Sequence, residues 1–189
     1  MPFPTGCALY QPMKIAQPTL ASYDSHVTAA NGREVFLRPI LEDDGPLLND
    51  LFNRLSPESR YFRFLSSREF LPEALIYQFT HLDYYRNFAL AAQIDEEGRR
   101  AIIGVGRYGY DYFQKRTDFA IAIRDDWQRL GLGRMLLKKL FAIGKEHGIS
   151  RFTAEIDPQN KAIKQLMVKM GYDTKYIGLS TSLTFEIEV

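Results

Sequence analysis

Two periodicities alternate along this chain. Over 117–124, Phe119, Ile121 and Ile123 alternate with Asp118, Ala122 and Arg124, a period of two that predicts a strand with one large apolar face. From about Gly131 to His147 the spacing becomes three and four. Leu132, Met135, Leu136, Leu140 and Ile143 form an apolar stripe holding one charge, Lys139, and Gly148 closes this helix. Upstream, Asn31-Gly32 separates two β-prone stretches, 23–29 and 33–38, and supports a tight hairpin turn. Pro39 ends the second of them. Acidic Glu42, Asp43 and Asp44 then precede Leu47, Leu48, Leu51, Phe52 and Leu55 at helical spacing, with the acids at the positive end of the dipole. Ser56 and Pro57 start a short second helix, and a third opens near Pro72 and runs to about His81. Further β-type segments are expected at about 87–95, 101–110, 151–157, 173–179 and 182–188, with a helix over about 160–170 that ends at Gly171.

This order predicts one α/β domain over 23–189, built on a central mixed, mostly antiparallel sheet of six to seven strands flanked by helices. Residues 1–22 are rich in Pro, Ala and Thr without periodicity and are expected to form a loosely ordered arm. Apolar residues make up 46% of the chain, enough to build one core and to argue against disorder. A formal net charge of +1 calls for no nucleic-acid or anionic-membrane partner, so any charge selectivity must be local. Cys7 is the single cysteine, and no Cys or His cluster has metal-ligand spacing, so neither a disulfide framework nor a metal site is expected. No apolar run approaches the ~20 residues that span a bilayer. The N-terminus lacks the pattern of a signal peptide, and the cytoplasm is the expected location. A homodimer is compatible with the sequence.

The candidate chemistry lies where the strand at 117–124 meets the helix at 131–147. Gln128, Gly131 and Gly133 sit between them. A strand–turn–helix of this kind presents several free backbone N–H groups, and the helix dipole adds positive potential there, so a phosphate or pyrophosphate fits. Gly131 and Gly133 allow close approach, and Arg129 and Arg134 add charge at the rim. Spacing alone leaves open a glycine-rich turn with no ligand. Two other ligand motifs fail. No P-loop run exists, and the dinucleotide fingerprint requires glycine where Leu136 stands.

Gln128-x-x-Gly131-x-Gly133 after a strand resembles the acyl-CoA pyrophosphate motif of the GNAT acetyltransferase superfamily. Downstream, Asn160, Ile163, Leu166, Lys169, Gly171 and Tyr172 resemble that superfamily's Asn-led helix ending in Gly-aromatic. Upstream, Arg38-Pro39-Ile40, the acidic helix start, Leu55-Ser56-Pro57-Glu58-Ser59-Arg60-Tyr61, His81-Leu82-Asp83-Tyr84 and Arg124-Asp125-Asp126-Trp127-Gln128 are similar to the acetyltransferase domain of Pat-type bacterial protein lysine acetyltransferases. The resemblance covers about 27–172. It implies a GNAT-like domain splayed at the cofactor strand, with acetyl-CoA as acyl donor and an amine acceptor, a protein lysine or a small molecule.

By the same resemblance, backbone groups of Ile121, Ala122 and Ile123 bind the pantetheine arm. The turn Gln128, Arg129, Leu130, Gly131, Leu132, Gly133 and Arg134 cradles the pyrophosphate, and Asn160 contacts the cofactor near the thioester. Asn160 also reads as a helix N-cap, and the two roles can coexist. An ammonium has no lone pair, so a base must take a proton from the acceptor. The family's glutamate base falls at Asp118, one methylene shorter, which favours a water relay. Glu155 on the next strand is the alternative. Where many relatives carry a tyrosine acid, seven residues after the Asn, this chain has Met167. Those departures keep a second reading open, an acyl-CoA-binding sensor or regulatory module with little catalysis. Tyr108, Tyr110, Tyr112 and Phe113 are expected to line the acceptor cleft. Arg60, Arg63 and Arg68 either select an acidic acceptor or are solvated.

Overall fold

A computed structural model describes residues 17–172, 175–177 and 183–189. The strands are β1 (Ser25–Thr28), β2 (Glu34–Pro39), β3 (Asn87–Glu96), β4 (Arg99–Asp111), β5 (Arg116–Ile123), β6 (Arg151–Ile156), β7 (Lys175–Ile177) and β8 (Leu183–Glu188). The helices are α1 (Gln17–Leu20), α2 (Gly45–Arg54), α3 (Pro57–Phe64), α4 (Glu73–Thr80), α5 (Leu132–Glu146) and α6 (Lys161–Met170). All eight β segments join one sheet in the order β1-β2-β3-β4-β5-β6-β8-β7, so the expected six to seven strands become eight. Every described pairing is antiparallel except β5 with β6. Most of the expected arm lies outside the described residues. Leu20 in α1 is buried, and Tyr23 packs edge-on against Phe88.

The two faces of the sheet carry different layers. Phe119 turns to α5, where its ring meets Phe141 edge-on at 5.0 Å. The glycines of β4 let that helix lie close. A Cβ added at Gly104 would stand 2.6 Å from Ile123 Cδ1 and 3.4 Å from Leu136 Cδ1. Tyr108 also belongs to this layer. It is fully buried and bonds His147 Nδ1 at 2.7 Å, while the Tyr23 hydroxyl meets Nε2 at 3.0 Å. Tyr108 therefore belongs to the core rather than to an acceptor cleft, and Phe113 stands almost wholly in solvent.

The opposite face is covered by α2, α3 and α4. Arg38 and Asp44, both buried, form a two-pronged ion pair at 2.6 and 2.7 Å, and Arg38 Nε also donates to Gln93. This pair fastens the start of α2 to the end of β2, which gives the acidic helix opening a structural purpose. Arg60 donates to the carbonyls of Phe52, Asn53 and Leu55, closing the C-terminal end of α2.

Candidate active site

The parallel neighbours β5 and β6 share one Cα register pair among the described residues, Asp118 with Thr153. Beyond it the two strands continue without pairing, which opens a gap toward the C-terminal end of β5. Backbone groups alternate sides along a strand. The Arg124 N–H donates to Ile103 on the β4 side, so Ala122 also turns to β4, while Ile121 and Ile123 turn to the gap. The Ile123 carbonyl accepts from the Gln128 side chain at 3.0 Å. The N–H and C=O of Ile121 and the N–H of Ile123 face the opening.

The turn past β5 is fixed from several directions. Arg124 is buried between Glu96 and Asp126, each at 2.7 Å. Asp125 accepts from the Ser56 N–H, the Ser56 hydroxyl and the Ser59 hydroxyl, which pins α3 to the turn. Desolvation pushes the Asp125 carboxyl up, but those donors outweigh it and hold it below its ordinary value. Trp127 is buried under the Arg33 guanidinium, 4.3 Å from its ring centroid. The Leu130 carbonyl accepts from the Ala30 N–H in the first hairpin. The Arg-Asp-Asp-Trp-Gln run is thus a scaffold for the turn.

What the scaffold presents is a row of donors. Among the described residues, the N–H groups of Arg129, Leu130, Gly131, Leu132, Gly133 and Arg134 have no backbone acceptor. Gly131 caps α5 at φ +83°, in the left-handed region. Gly133 has a different reason. A Cβ there would meet Leu166 Cδ2 at 3.3 Å and Ile121 Cδ1 at 3.6 Å, so this glycine lets α5 settle against α6 and β5. Leu132 points into the core, whereas Arg129 and Arg134 are exposed without a carboxylate partner among the described residues. The site is therefore made of backbone donors, a helix N-terminus and two arginines, a pattern that binds anions.

The candidate bases lie on the two sides of the gap. Asp118 stands at its closed end, where Arg116 Nε contacts the carboxylate at 2.9 Å and the Thr153 hydroxyl donates to it. Glu155 is exposed two residues further along β6, about 7 Å at strand spacing. Asn160 caps α6, accepting from the Ile163 N–H at 3.2 Å. Met167 is fully buried. Two features escaped the sequence reading. Tyr61 donates to Asp157 at 3.0 Å, linking α3 to the residue just past β6, and this raises the phenol above its ordinary value. Arg107 enters the α2–α4 layer from β4. Its signal was one charge inside a strand otherwise apolar from Ala101 to Gly106.

The model of the acetyltransferase (GNAT) family matches residues 48–172. The chain belongs to this family. It is 31% identical over 142 residues to the acetyltransferase PA5475 of Pseudomonas aeruginosa, covering 75% of this chain and 76% of that protein. The GNAT domain of Pat from S. lividans superposes with a TM-score of 0.82 at 26% identity, covering 89% of this chain and 98% of that one. The yncA protein from Salmonella typhimurium, described with its cofactor acetyl-CoA, shares the fold at a TM-score of 0.63 and 17% identity, over 82% of this chain and 92% of that one. GNAT membership makes the chain an N-acetyltransferase by class, and the likeness to Pat agrees with the motifs upstream of the turn. Among the described residues there is no cluster of metal-ligating side chains, and no helix is long and apolar enough to cross a membrane.

Proposed function

We propose that this protein transfers an acetyl group from acetyl-CoA to an amine by direct attack on the thioester. The observation that carries the reading is the row of N–H donors at 129–134, placed where β5 and β6 part. Those donors hold the pyrophosphate, with Arg129 and Arg134 adding charge at its rim. The pantetheine arm then lies in the gap against the backbone of Ile121 and Ile123, which brings the thioester toward Asp118. Gln128 acts by positioning, because its amide is already spent on Ile123 and Ser59.

The amine nitrogen attacks the carbonyl carbon, the C–N bond forms, and the C–S bond breaks as CoA thiolate leaves. Asp118 takes the amine's proton through a water, and the proton passes to solvent. Arg116 and Thr153 hold the carboxylate in place for this. Glu155 is the second candidate, without a hydrogen-bond or ion-pair partner among the described residues and further up the gap. CoA thiolate is a good leaving group, so a buried Met167 in place of an acid leaves the reaction intact. The acceptor is a small amine or a protein lysine.

Thiol release from acetyl-CoA against a panel of amines and lysine-bearing proteins tests this. Acceptor-dependent release supports it. Binding without turnover on any acceptor supports instead a sensor that kept the pocket, the reading motivated by Met167 and by the partners already on Asp118.

A further inference from the structure

Beneath α2, α3 and α4 a cavity of about 40 Å³ opens against β4 and β5. Most of its wall is apolar, with Ile40, Phe52, Phe79 and Ala122 among the lining groups. Two guanidinium groups line it as well, Arg63 from α3 and Arg107 from β4. Arg107 lies 4.3 Å from the Phe79 ring centroid, and Arg63 lies 4.7 Å from Phe64 and 5.5 Å from Phe79. Arg68 adds a third cation, 5.4 Å from Phe64.

Among the described residues, neither Arg63 nor Arg107 has a hydrogen-bond acceptor or a carboxylate partner. Arg63 and Arg107 are half-buried, whereas the fully buried arginines, Arg38 and Arg124, are both held by acids. Burial, then the neighbouring Arg107 and Arg68, pushes Arg63 down to about 9, and burial pushes Arg107 down to about 10. Both groups still carry their charge at pH 7. Two like charges partly withdrawn from water in an apolar recess cost free energy that solvent and cation–π contact offset in part. An anion arriving from outside removes the cost.

Size and place narrow that anion. A water needs roughly 10–15 Å³ by this measure, so the cavity takes about three such groups, the heavy-atom count of a carboxylate. Planar carboxylates match the guanidinium fork. Arg107 is paired across the ladder with Ala120, and Asp118 is on the same face of β5, two residues (about 7 Å) from Ala120 and four (about 13 Å) from the cavity's Ala122. A molecule with a carboxylate on the arginines places an amine toward Asp118.

We propose that Arg63 and Arg107 bind a carboxylate of the acceptor, so that the acceptor is a small amino-acid-like amine. This deepens the acetyltransferase reading and rests on it. The test compares thiol release at saturating acetyl-CoA for a series from glycine to 6-aminohexanoate, each against its own carboxamide. The expected result is that, at one chain length or more, the acid exceeds its amide in kcat/KM by at least about tenfold. In Arg107→Met and Arg63→Met the ratio falls toward one, and Arg107→Lys keeps part of it. Equal rates for acid and amide at every length in the unmodified protein overturn the proposal, whatever the variants do. So does a lack of turnover with every acid. Calorimetry with acetyl-CoA and thiol release with the wider panel of amines and lysine-bearing proteins, run alongside, separate these outcomes from failure of the acetyltransferase reading, in which the cofactor does not bind or no acceptor of any kind is turned over.

Discussion

Asp118 and Thr153 face each other where β5 and β6 meet, and the threonine hydroxyl donates to the aspartate carboxylate at that point. The closed end of the splay and the candidate base are therefore one locus. Any acceptor nitrogen that reaches the thioester from the α2–α4 side meets a carboxylate already oriented by Arg116 and Thr153.

Replacing that carboxylate isolates its role. Asp118→Asn lowers kcat about 100-fold at saturating acetyl-CoA, the low end of what a positioned base contributes, and leaves acetyl-CoA affinity within about threefold. Glu155→Gln changes kcat less than about threefold. Stopped-time thiol assays with matched calorimetry check both. The reverse ranking transfers the base to Glu155.

Gly131 is at φ +83°, where a β-branched residue costs at least about 1–2 kcal/mol. Gly131→Val therefore reshapes the turn without touching the core. Acetyl-CoA affinity falls at least tenfold while far-ultraviolet circular dichroism keeps its folded form. Unchanged affinity removes this turn from the cofactor site.

Much of this was legible before the structure. Alternation at 117–124 and three-four spacing at 131–147 placed the strand, the turn and the helix, because both elements bury one face on a shared core. Gly148 and Gly171 marked helix ends and take φ +79° and +77° there. The Ser56–Ser59 clamp on Asp125 was not legible, since it joins residues 66 to 69 positions apart. Nor was the meaning of Arg107. An arginine's charge is visible in a sequence, but the lack of a partner is a property of three dimensions. Likewise Gly133 reads as an anion-approach glycine, whereas its neighbours Leu166 and Ile121 show a packing need.

The buried Arg38–Asp44 pair ties β2 to α2. Removing one partner leaves an uncompensated charge, so Asp44→Ala destabilises by about 3–5 kcal/mol. Urea unfolding with an unchanged slope measures it. A loss under about 1 kcal/mol contradicts the role given to this pair.

Acid stability has a traceable contributor. Hydrogen bonds from Arg124 and then Arg54 outweigh desolvation and hold the Glu96 carboxyl down to about 2, against an ordinary 4.5. A depressed carboxylate stabilises the fold above its unfolded value, and that stability is lost as pH falls from about 4.5 through about 2. Solvent screens this partly exposed pair, so its worth is on the order of 1 kcal/mol. In Glu96→Gln the melting temperature is lower at neutral pH and falls less steeply between pH 4.5 and 2. Parallel acid limbs for the two proteins would deny Glu96 this part.

The most direct measurement is a titration of ¹⁵N-labelled protein with acetyl-CoA, followed by amide resonances. If the turn holds the pyrophosphate, the largest downfield proton shifts fall on the N–H groups of Arg129 to Arg134, with Ile121 and Ile123 moving alongside. Saturable binding that leaves Arg129 to Arg134 unshifted, or no binding at all, contradicts the account.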